Sequence, residues 1–240
     1  MNLIIDVGNT RIKFAIFNQS ELIHSEIFTG INVVLKVEDL IKKYHCTNAI
    51  ISSVGELNND IISEIKSKIN TIQLLTSTKV PFENKYSTPK TLGADRIALV
   101  AAAVKKFPNK NVLIIDAGTC ITYDFVNSER VYCGGAISPG IKMRYKSLNV
   151  FTEKLPQLEA EHLDILIGGS TNESIHIGVV KGVINEIDSF INSYKEKNSY
   201  LTVVLTGGDI NFLSNSLKNT IFANRNLLLE GLNSILIYNL

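Results

Sequence analysis

One six-residue pattern occurs twice in this 240-residue chain, each time at the end of an apolar run. The copies are LIIDVG at 3–8 and LIIDAG at 113–118, and each leads past a threonine, Thr10 or Thr119, into a second β-like run. Two such runs joined by a glycine turn are typical of a β-hairpin. The repeat therefore predicts a duplicated chain in which two glycine turns grip one ligand, with phosphate as the best candidate.

The repeat continues beyond the two hairpins. In each half a third β-like run follows, and apolar residues then recur at helical spacing between further short apolar runs. The tripeptide Pro108-Asn109-Lys110 is the best boundary between the halves, since proline and asparagine favour a turn. The pattern predicts an α/β duplication with domains at 1–108 and 109–240.

Composition and charge narrow the classes of function. With 24 basic and 23 acidic residues the net charge is +1, so we expect no nucleic-acid partner. The apolar run at 97–104 is too short to span a membrane, and the N-terminus lacks a signal-peptide pattern. The three cysteines form no CxxC pair and the four histidines no HExxH motif, which disfavours a histidine-based metal site. We expect a cytoplasmic protein with no membrane partner.

The first turn, DVGNTR, carries groups suited to phosphate. Backbone N–H groups and the side chains of Asn9 and Thr10 can donate hydrogen bonds to phosphate oxygens, and Arg11 or Lys13 can add positive charge. Asp6 cannot face a phosphate without a cation between them, so its position implies Mg²⁺, reached through water. The alternative is a hairpin in which the glycine merely sets the turn, and the second copy of the pattern argues against it.

A third glycine turn lies near the C-terminus, where the apolar run VVL is followed by Thr206, Gly207, Gly208 and Asp209. Paired glycines let an adenine or ribose lie against the backbone, although the same residues could simply begin a helix. Two aspartate–glycine hairpins followed by such a turn resemble the actin, hexokinase and Hsp70 superfamily, with its phosphate 1, phosphate 2 and adenosine motifs. The resemblance implies two duplicated ribonuclease-H-like (actin-like ATPase) domains, each a mixed five-stranded sheet with flanking helices.

Further motifs narrow the resemblance to one family. They run in order along nearly the whole chain: DVGNT at 6–10, GADR at 93–96, DAGT at 116–119, GGAISPG at 134–140, TEKLP at 152–156, GST at 169–171, TGG at 206–208 and LEGL at 229–232. With these motifs the chain resembles the type III pantothenate kinases. The resemblance implies ATP-dependent phosphorylation of pantothenate to 4′-phosphopantothenate, the first step of coenzyme A biosynthesis. It also implies Mg²⁺, a monovalent cation (K⁺ or NH₄⁺) and a homodimer, for which apolar residues at 179–187 could supply either dimer surface or domain core.

The resemblance also implies roles for individual residues. Asp95 corresponds to the proton acceptor for the substrate hydroxyl, although an acidic residue also stabilises the start of a helix. Asp116 corresponds to the ligand of the monovalent cation. The implied substrate-binding residues are Tyr86, Gly93, Ala94, Asp95, Arg96 and Thr171. The implied ATP-binding residues are Asp6, Val7, Gly8, Asn9, Thr10, Arg11, Ile12, Lys13 and Thr119.

Three of these residues also have structural interpretations. Arg96 suits the carboxylate of pantothenate but could be a solvated charge near a helix start. Tyr86 could be a half-buried aromatic residue that closes its loop, and Thr171 could be the N-cap of the long helix that follows.

The chain departs from the family pattern at a few positions. The run Cys-Ile-Thr-Tyr before Asp124 replaces the usual small or hydroxylated residues, and His176 stands where the family has glutamine. Two other functions stay open. One is a kinase for another small hydroxylated acceptor, and the other is a non-catalytic accessory relative connected with transcription.

Overall fold

The computed structural model describes residues 1–8, 11–53 and 58–240. Its contacts divide the chain into two compact units. The first comprises Met1–Asn109, Arg130–Tyr132 and Asn226–Leu240, and the second comprises Lys110–Glu129 and Cys133–Arg225. These units differ from the predicted domains, 1–108 and 109–240, chiefly at the C-terminus, where the last segment groups with the first unit.

The first unit contains a mixed five-stranded sheet. Its strands are β1 (Asn2–Val7), β2 (Ile12–Asn18), β3 (Glu21–Phe28), β4 (Asn48–Ser53) and β5 (Asn70–Gln73), in the order β3-β2-β1-β4-β5. β2 is antiparallel to both β1 and β3, whereas β4 runs parallel to β1 and to β5. All six residues of β1 are buried, including the polar Asn2 and Asp6, while β3 alternates between exposed and half-buried residues at the edge.

Helices α1 (Val33–Tyr44) and α2 (Asn59–Lys68) share one apolar core with this sheet. Each begins at an asparagine, Asn32 or Asn58, whose side chain accepts a hydrogen bond from a backbone N–H of the first turn. Asparagine is among the preferred N-cap residues for this reason. The apolar face of each helix then follows from residues at helical spacing.

The first unit also holds α3 (Ala94–Lys106) and α8 (Leu227–Tyr238), which pack against each other. The approach is close at Gly231, where a Cβ atom would lie 1.9 Å from the carbonyl oxygen of Ala98. Asn233 is buried, accepts a hydrogen bond from Asn2 on β1 and donates one to the carbonyl oxygen of Gln19. These contacts explain why the C-terminal helix belongs to the first unit.

The second unit is built on another mixed sheet. Its strands are β7 (Val112–Ala117), β8 (Cys120–Val126), β9 (Val131–Pro139), β10 (Thr202–Thr206) and β11 (Phe222–Ala223), in the order β11-β10-β7-β8-β9. β7 and β8 are antiparallel, whereas β10 runs parallel to both β7 and β11. A sixth strand, β6 (Glu83–Asn84), pairs with Val131 and Tyr132 of β9, which group with the first unit. The prediction of five strands misses it, because a two-residue strand carries no periodicity.

Four helices of the second unit are α4 (Ile141–Val150), α5 (Thr171–His176), α6 (Gly182–Lys197) and α7 (Ile210–Leu213). The long helix predicted from 171 is present, with a π-helical turn, Ile177–Lys181, between α5 and α6. Val179, Val180, Val183 and Ile187 are at most 4% exposed in the isolated chain, so they belong to the domain core. In the part of the chain that the structure describes, no helix is long and apolar enough to cross a membrane.

Candidate active site

The first hairpin places Asp6 across from Lys13. The two residues are paired in the register of β1 and β2, and the turn is closed by a hydrogen bond from the Gly8 N–H to the Arg11 carbonyl oxygen at 3.0 Å. Because the Gly8 N–H is used within the turn, donors to a phosphate must come from other residues of the hairpin. The close pairing of Asp6 and Lys13 brings one negative and one positive group to the same end of the sheet.

The other residues of the predicted ATP-binding set have different surroundings. Val7 is 6% exposed and Ile12 is half-buried, and both pack in the core of the first unit, so their backbone groups are the ones suited to meet a ligand. Arg11 is exposed at the turn. Asn9 and Thr10 lie outside the residues that the structure describes.

Asp6 is a buried carboxyl group with a perturbed pKa. It is 8% exposed, and burial raises its pKa from the ordinary 3.8 to about 6. Lys13 opposes this shift, whereas the charge of Asp95 adds to it. Asp6 and Asp95 therefore lie within electrostatic range of each other in the same unit. A cation beside Asp6 would stabilise the ionised form that burial disfavours, which fits the predicted Mg²⁺ site.

Asp6→Asn should stabilise the metal-free protein at neutral pH. Because the pKa of Asp6 is raised in the folded state, its ionisation opposes folding above pH 3.8, and the full effect is reached above about pH 6. The shift corresponds to about 2 to 3 kcal/mol of unfolding free energy. In urea unfolding with a chelator present, we expect the unfolding free energy of the variant to exceed that of the wild type at pH 8 and to match it near pH 4.

Comparison at both pH values separates the charge of Asp6 from other effects of the substitution. A stability difference of the same size at pH 4 and pH 8 would indicate altered hydrogen bonding or packing, and would contradict the electrostatic explanation. Added Mg²⁺ should stabilise the wild type more than the variant if Asp6 takes part in holding the ion.

The GADR motif forms the start of α3. Gly93 is the N-cap, and Asp95 lies in the first turn, where its Oδ1 accepts a hydrogen bond from the Arg96 N–H at 2.8 Å. Ala94 and Asp95 are both half-buried. A Cβ atom at residue 93 would lie 2.2 Å from Oδ1 of Asp95, so a larger residue there would turn the carboxylate away. Gly93 therefore permits the observed orientation of Asp95.

Arg96 and Tyr86 lie in one cluster. Arg96 is only 5% exposed, and its guanidinium carbon lies 5.4 Å from the centre of the Tyr86 ring. Tyr86 stacks on Tyr132 with 6.1 Å between ring centres. The interpretation of Arg96 as a solvated charge is wrong, because the side chain is buried. Tyr86 is half-buried and packs its loop in place, a structural role that is compatible with contact to a substrate.

The second hairpin has a tighter turn than the first. The turn between β7 and β8 comprises residues 118–120, one residue fewer than the turn of the first hairpin. The Gly118 N–H donates to the carbonyl oxygen of Cys120 at 2.9 Å. Thr119 therefore lies at the tip with its side chain exposed, where its hydroxyl group can meet a ligand.

Two further turns pack against this hairpin. The GGAISPG segment, which ends β9, contacts it at Gly140, whose N–H donates to the Thr119 carbonyl oxygen at 3.1 Å. The third glycine turn reaches it at Gly207, where a Cβ atom would lie 2.4 Å from Oδ1 of Asp116. The Asp209 N–H also donates to the carbonyl oxygen of Ala117 at 3.0 Å. Three of the sequence motifs thus meet at the second hairpin, where Gly207 packs closest to the half-buried Asp116.

Thr171 begins α5 but does not cap it. The N-cap is Ser170, whose side chain accepts a hydrogen bond from the Glu173 N–H, while the Glu173 carboxylate accepts one from the Ser170 N–H at 3.0 Å. The interpretation of Thr171 as the N-cap is wrong, because this capping box already satisfies the helix start. Thr171 is exposed and lines a groove of about 820 Å³ in the second unit.

Sequence reasoning missed the residues of this groove that lie outside the GST motif. Hydroxyl groups of Ser147 and Ser174 and the apolar side chains of Leu148 and Val179 line it beside Thr171. Arg144 lines it as well. One signal could have found Arg144, namely an arginine one helical turn after the glycine that starts α4.

His176, where the chain departs from the family pattern, is a buried structural residue. It is 8% exposed, and its Nδ1 lies 2.8 Å from the hydroxyl oxygen of Tyr145 on α4. Its Nε2 lies 3.9 Å from the carboxylate of Glu161. His176 therefore ties α5 both to α4 and to the loop that precedes α5.

The predicted residues assemble within each unit. The first unit brings Asp6, Asp95, Arg96 and Tyr86 to the first hairpin and the start of α3. The second unit places Asp116 and Thr119 on the second hairpin and Thr171 at the groove.

The sequence matches a known family over most of its length. A family model described as type III pantothenate kinase matches residues 2–193. The type III pantothenate kinase of Christiangramia forsetii is 50% identical over 240 residues, which cover 100% of this chain and 99% of that protein. The type III pantothenate kinase of Flavobacterium psychrophilum is 45% identical, with 99% of each chain covered.

Solved structures share the fold at lower identity. A Campylobacter jejuni protein described as a Baf family transcriptional activator aligns with a TM-score of 0.63 at 23% identity, covering 99% of this chain and 98% of that one. A glucokinase from an Antarctic psychrotroph aligns with a TM-score of 0.53 at 12% identity, with coverage of 99% and 98%. These likenesses confirm the predicted actin-like ATPase fold. Since the family model and the full-length relatives agree, the chain belongs to the type III pantothenate kinase family.

Proposed function

We propose that this chain transfers the γ-phosphoryl group of ATP to the primary hydroxyl group of pantothenate, yielding 4′-phosphopantothenate. The relatives support the choice of substrates. The structural observation that carries the proposal is the placement of Asp95. Its carboxylate is half-buried, oriented at the start of α3, and within electrostatic range of Asp6 on the first hairpin.

Asp95 accepts the proton of the substrate hydroxyl group. The hydrogen bond from the Arg96 N–H holds one carboxylate oxygen, and the other oxygen receives the proton. Phosphoryl transfer has a loose transition state, so positioning and charge stabilisation contribute more than the strength of the base. Gly93 and Ala94 permit close approach of the substrate at this helix start.

Arg96 binds the carboxylate of pantothenate. Its guanidinium group is buried against the Tyr86 ring, which limits the conformations that the side chain can adopt. An arginine fixed in this way recognises a carboxylate with less loss of side-chain entropy. Thr171, exposed at the groove of the second unit, adds a hydroxyl donor to the substrate.

Each hairpin is assigned a role in binding ATP. The N–H groups of Gly8 and Gly118 donate within their own turns and are not free for a ligand. The principal donors to phosphate oxygens are therefore the Thr119 hydroxyl group, the Arg11 guanidinium group and the Lys13 ammonium group. The side chains of Asn9 and Thr10, known here from the sequence alone, would be further donors. The glycine turn at 206–208 binds the adenosine in this proposal, which is supported by its packing against the second hairpin at Gly207.

Asp6 is the residue that would hold Mg²⁺. Within residues 1–8, 11–53 and 58–240, no group of three or more His, Cys, Asp or Glu side chains is placed to hold a metal ion. A site with one or two carboxylates fits Mg²⁺, which is usually completed by water and nucleotide phosphates. When bound, the ion would supply positive charge to offset the negative charge that develops on the phosphate oxygens.

A homodimer and a cytoplasmic location complete the proposal. Large apolar side chains are exposed on the second unit, among them Phe151 at 84%, Leu166 at 79% and Ile167 at 85%. Large apolar surfaces exposed on a protein commonly mark interfaces between subunits, and these exposed side chains support a homodimer in that way. A cytoplasmic enzyme has direct access to ATP.

A coupled assay of ADP release tests the proposed function. Pantothenate and MgATP are supplied with K⁺, NH₄⁺ or Na⁺, and we expect turnover that requires both pantothenate and one of the first two cations. Absence of turnover with every cation, in a protein shown to be folded and dimeric, would contradict the proposal. A panel of other small hydroxylated acceptors would then separate a different kinase from a non-catalytic relative.

Asp116→Ala should weaken activation by the monovalent cation. Removal of a hard oxygen ligand should raise the K⁺ concentration for half-maximal activity by about 10-fold or more. Asp164→Ala, which removes an exposed carboxylate of the same unit, is the matched control. A K⁺ titration of the Asp116 variant that coincides with the wild type would remove Asp116 from the cation site.

A further inference from the structure

The turn that follows β9 rests directly on the second phosphate-binding turn. A Cβ atom at Gly140 would lie 2.2 Å from the carbonyl oxygen of Gly118 and 2.4 Å from that of Thr119. Two segments of backbone are therefore in contact, with no side chain between them. A shift of the turn at Gly140 must move Thr119 as well.

Arg144, one helical turn into α4, holds the turn at Gly140 in place. Its Nε donates to the Pro139 carbonyl oxygen at 2.9 Å, and its Nη2 donates to Oγ of Ser138 at 2.9 Å. Its backbone N–H donates to the Gly140 carbonyl oxygen at 3.1 Å. Three consecutive residues before α4 are therefore tied to one arginine.

Glu186 on α6 fixes the guanidinium group of Arg144. One carboxylate oxygen lies 2.6 Å from Nη2 of Arg144, and the other accepts a hydrogen bond from the Tyr123 hydroxyl group at 3.0 Å. Burial disfavours the ionised form of Glu186, but hydrogen bonds from Arg144, Ser138 and Tyr123 outweigh burial and lower its pKa. Glu186 is thus a charged acceptor shared by α4 and β8.

Tyr123 completes the connection on β8. Its side chain is fully buried and stacks on Phe190 of α6 with 4.1 Å between ring centres. Burial, together with the charge of Glu186, raises the pKa of the Tyr123 hydroxyl group, which keeps it a donor. Since β8 begins directly after Thr119, the network reaches the phosphate-binding turn from the strand side as well as from Gly140.

We propose that Arg144, Glu186 and Tyr123 act as positioning residues that fix the turn 118–120 for the phosphates of ATP. The inference rests on the proposed role of Thr119 in binding ATP. A misplacement of about 1 Å at such a site can lower a rate by about 100-fold, so a rigid support has a functional effect. Tyr123 belongs to the run that departs from the family pattern, and the quoted family motifs include none of Arg144, Glu186 and Tyr123.

Calorimetric titration with MgATP in the absence of pantothenate tests the inference apart from catalysis. Glu186→Gln keeps the shape of the side chain but removes its charge, and we expect it to weaken ATP binding roughly 10- to 100-fold. Tyr123→Phe removes one hydrogen bond and should weaken binding about 3- to 10-fold. The KM for pantothenate should change less than the Kd for ATP in both, although Arg144 also lines the groove at Thr171. Lys146→Gln, exposed on α4, is the control and should bind ATP normally.

Each outcome of the titration bears on the proposal. Wild-type ATP affinity in the folded variants would overturn the proposal. If Glu186→Gln does not fold, the ATP affinity of Tyr123→Phe provides the test. A parallel loss of ATP affinity and thermal stability, with an equal rise in the KM for pantothenate, would also overturn the proposal. A general structural role of these residues would have that result. If the wild type binds ATP but does not phosphorylate pantothenate, weakened ATP binding in the variants supports the positioning role of Arg144, Glu186 and Tyr123 while the proposed function fails. Absence of ATP binding to the wild type would overturn both.

Discussion

Asp95→Asn should lower kcat by about 10²- to 10⁴-fold while the protein stays folded. Asparagine is nearly the same size and can still accept the hydrogen bond from the Arg96 N–H, but it cannot take a proton from the substrate hydroxyl group. The KM for ATP should change little, because Asp95 is assigned to the acceptor. Because the charge of Asp95 raises the pKa of Asp6, the variant should also bring the pKa of Asp6 closer to 3.8. Steady-state kinetics and an NMR titration of Asp6 measure the two effects.

The control for Asp95→Asn is Asp60→Asn. Asp60 lies in the first turn of α2, as Asp95 does in α3, so both substitutions remove an acidic group from a helix start. Each should cost at most about 1 kcal/mol of stability through the helix dipole. Equal kinetics for the two variants would show that Asp95 only stabilises its helix, and would contradict a role in proton transfer.

Gly231→Ala should destabilise the first unit by about 2 kcal/mol, although alanine is the better helix former. The added Cβ atom would lie 1.9 Å from the carbonyl oxygen of Ala98 and 3.3 Å from Cβ of Ala102. The nearest atom belongs to the backbone of α3, so it cannot rotate away as the end of a side chain can. Relief therefore requires α8 to move away from α3, with loss of packing between the two helices.

Gly182→Ala is the control for this helix contact. Gly182 begins α6, and a Cβ atom there would meet no heavy atom within 4 Å, so alanine should be neutral or stabilise by up to about 1 kcal/mol. Chemical denaturation of both variants gives the comparison. Equal stabilisation by the two substitutions would mean that α3 and α8 are not in close contact. Because α3 begins with the GADR motif, Gly231→Ala should also lower turnover.

Much of the fold could be predicted because it follows from patterns within a few residues. The mostly apolar segment at 2–7 predicts a strand, and β1 spans those residues. Helical spacing of apolar residues after Gly93 predicts the helix observed as α3. A long helix from 171 is also present, whereas its π-helical turn has no signature in the apolar spacing. The cap of that helix is Ser170 rather than Thr171, because Glu173 completes a capping box with Ser170.

Local periodicity and turn chemistry determined, from the sequence by itself, two glycine hairpins with an aspartate at the end of each first strand and a GADR helix start. Only the tertiary structure decided which of these groups are buried, which have a shifted pKa and which are held by hydrogen bonds from distant residues. The pKa of Asp6 depends on burial and on Asp95, which lies far away in the chain. The hydrogen bonds among Arg144, Glu186 and Tyr123 join two helices and a strand. No spacing rule links such residues, because desolvation and hydrogen bonding arise only once distant segments pack together.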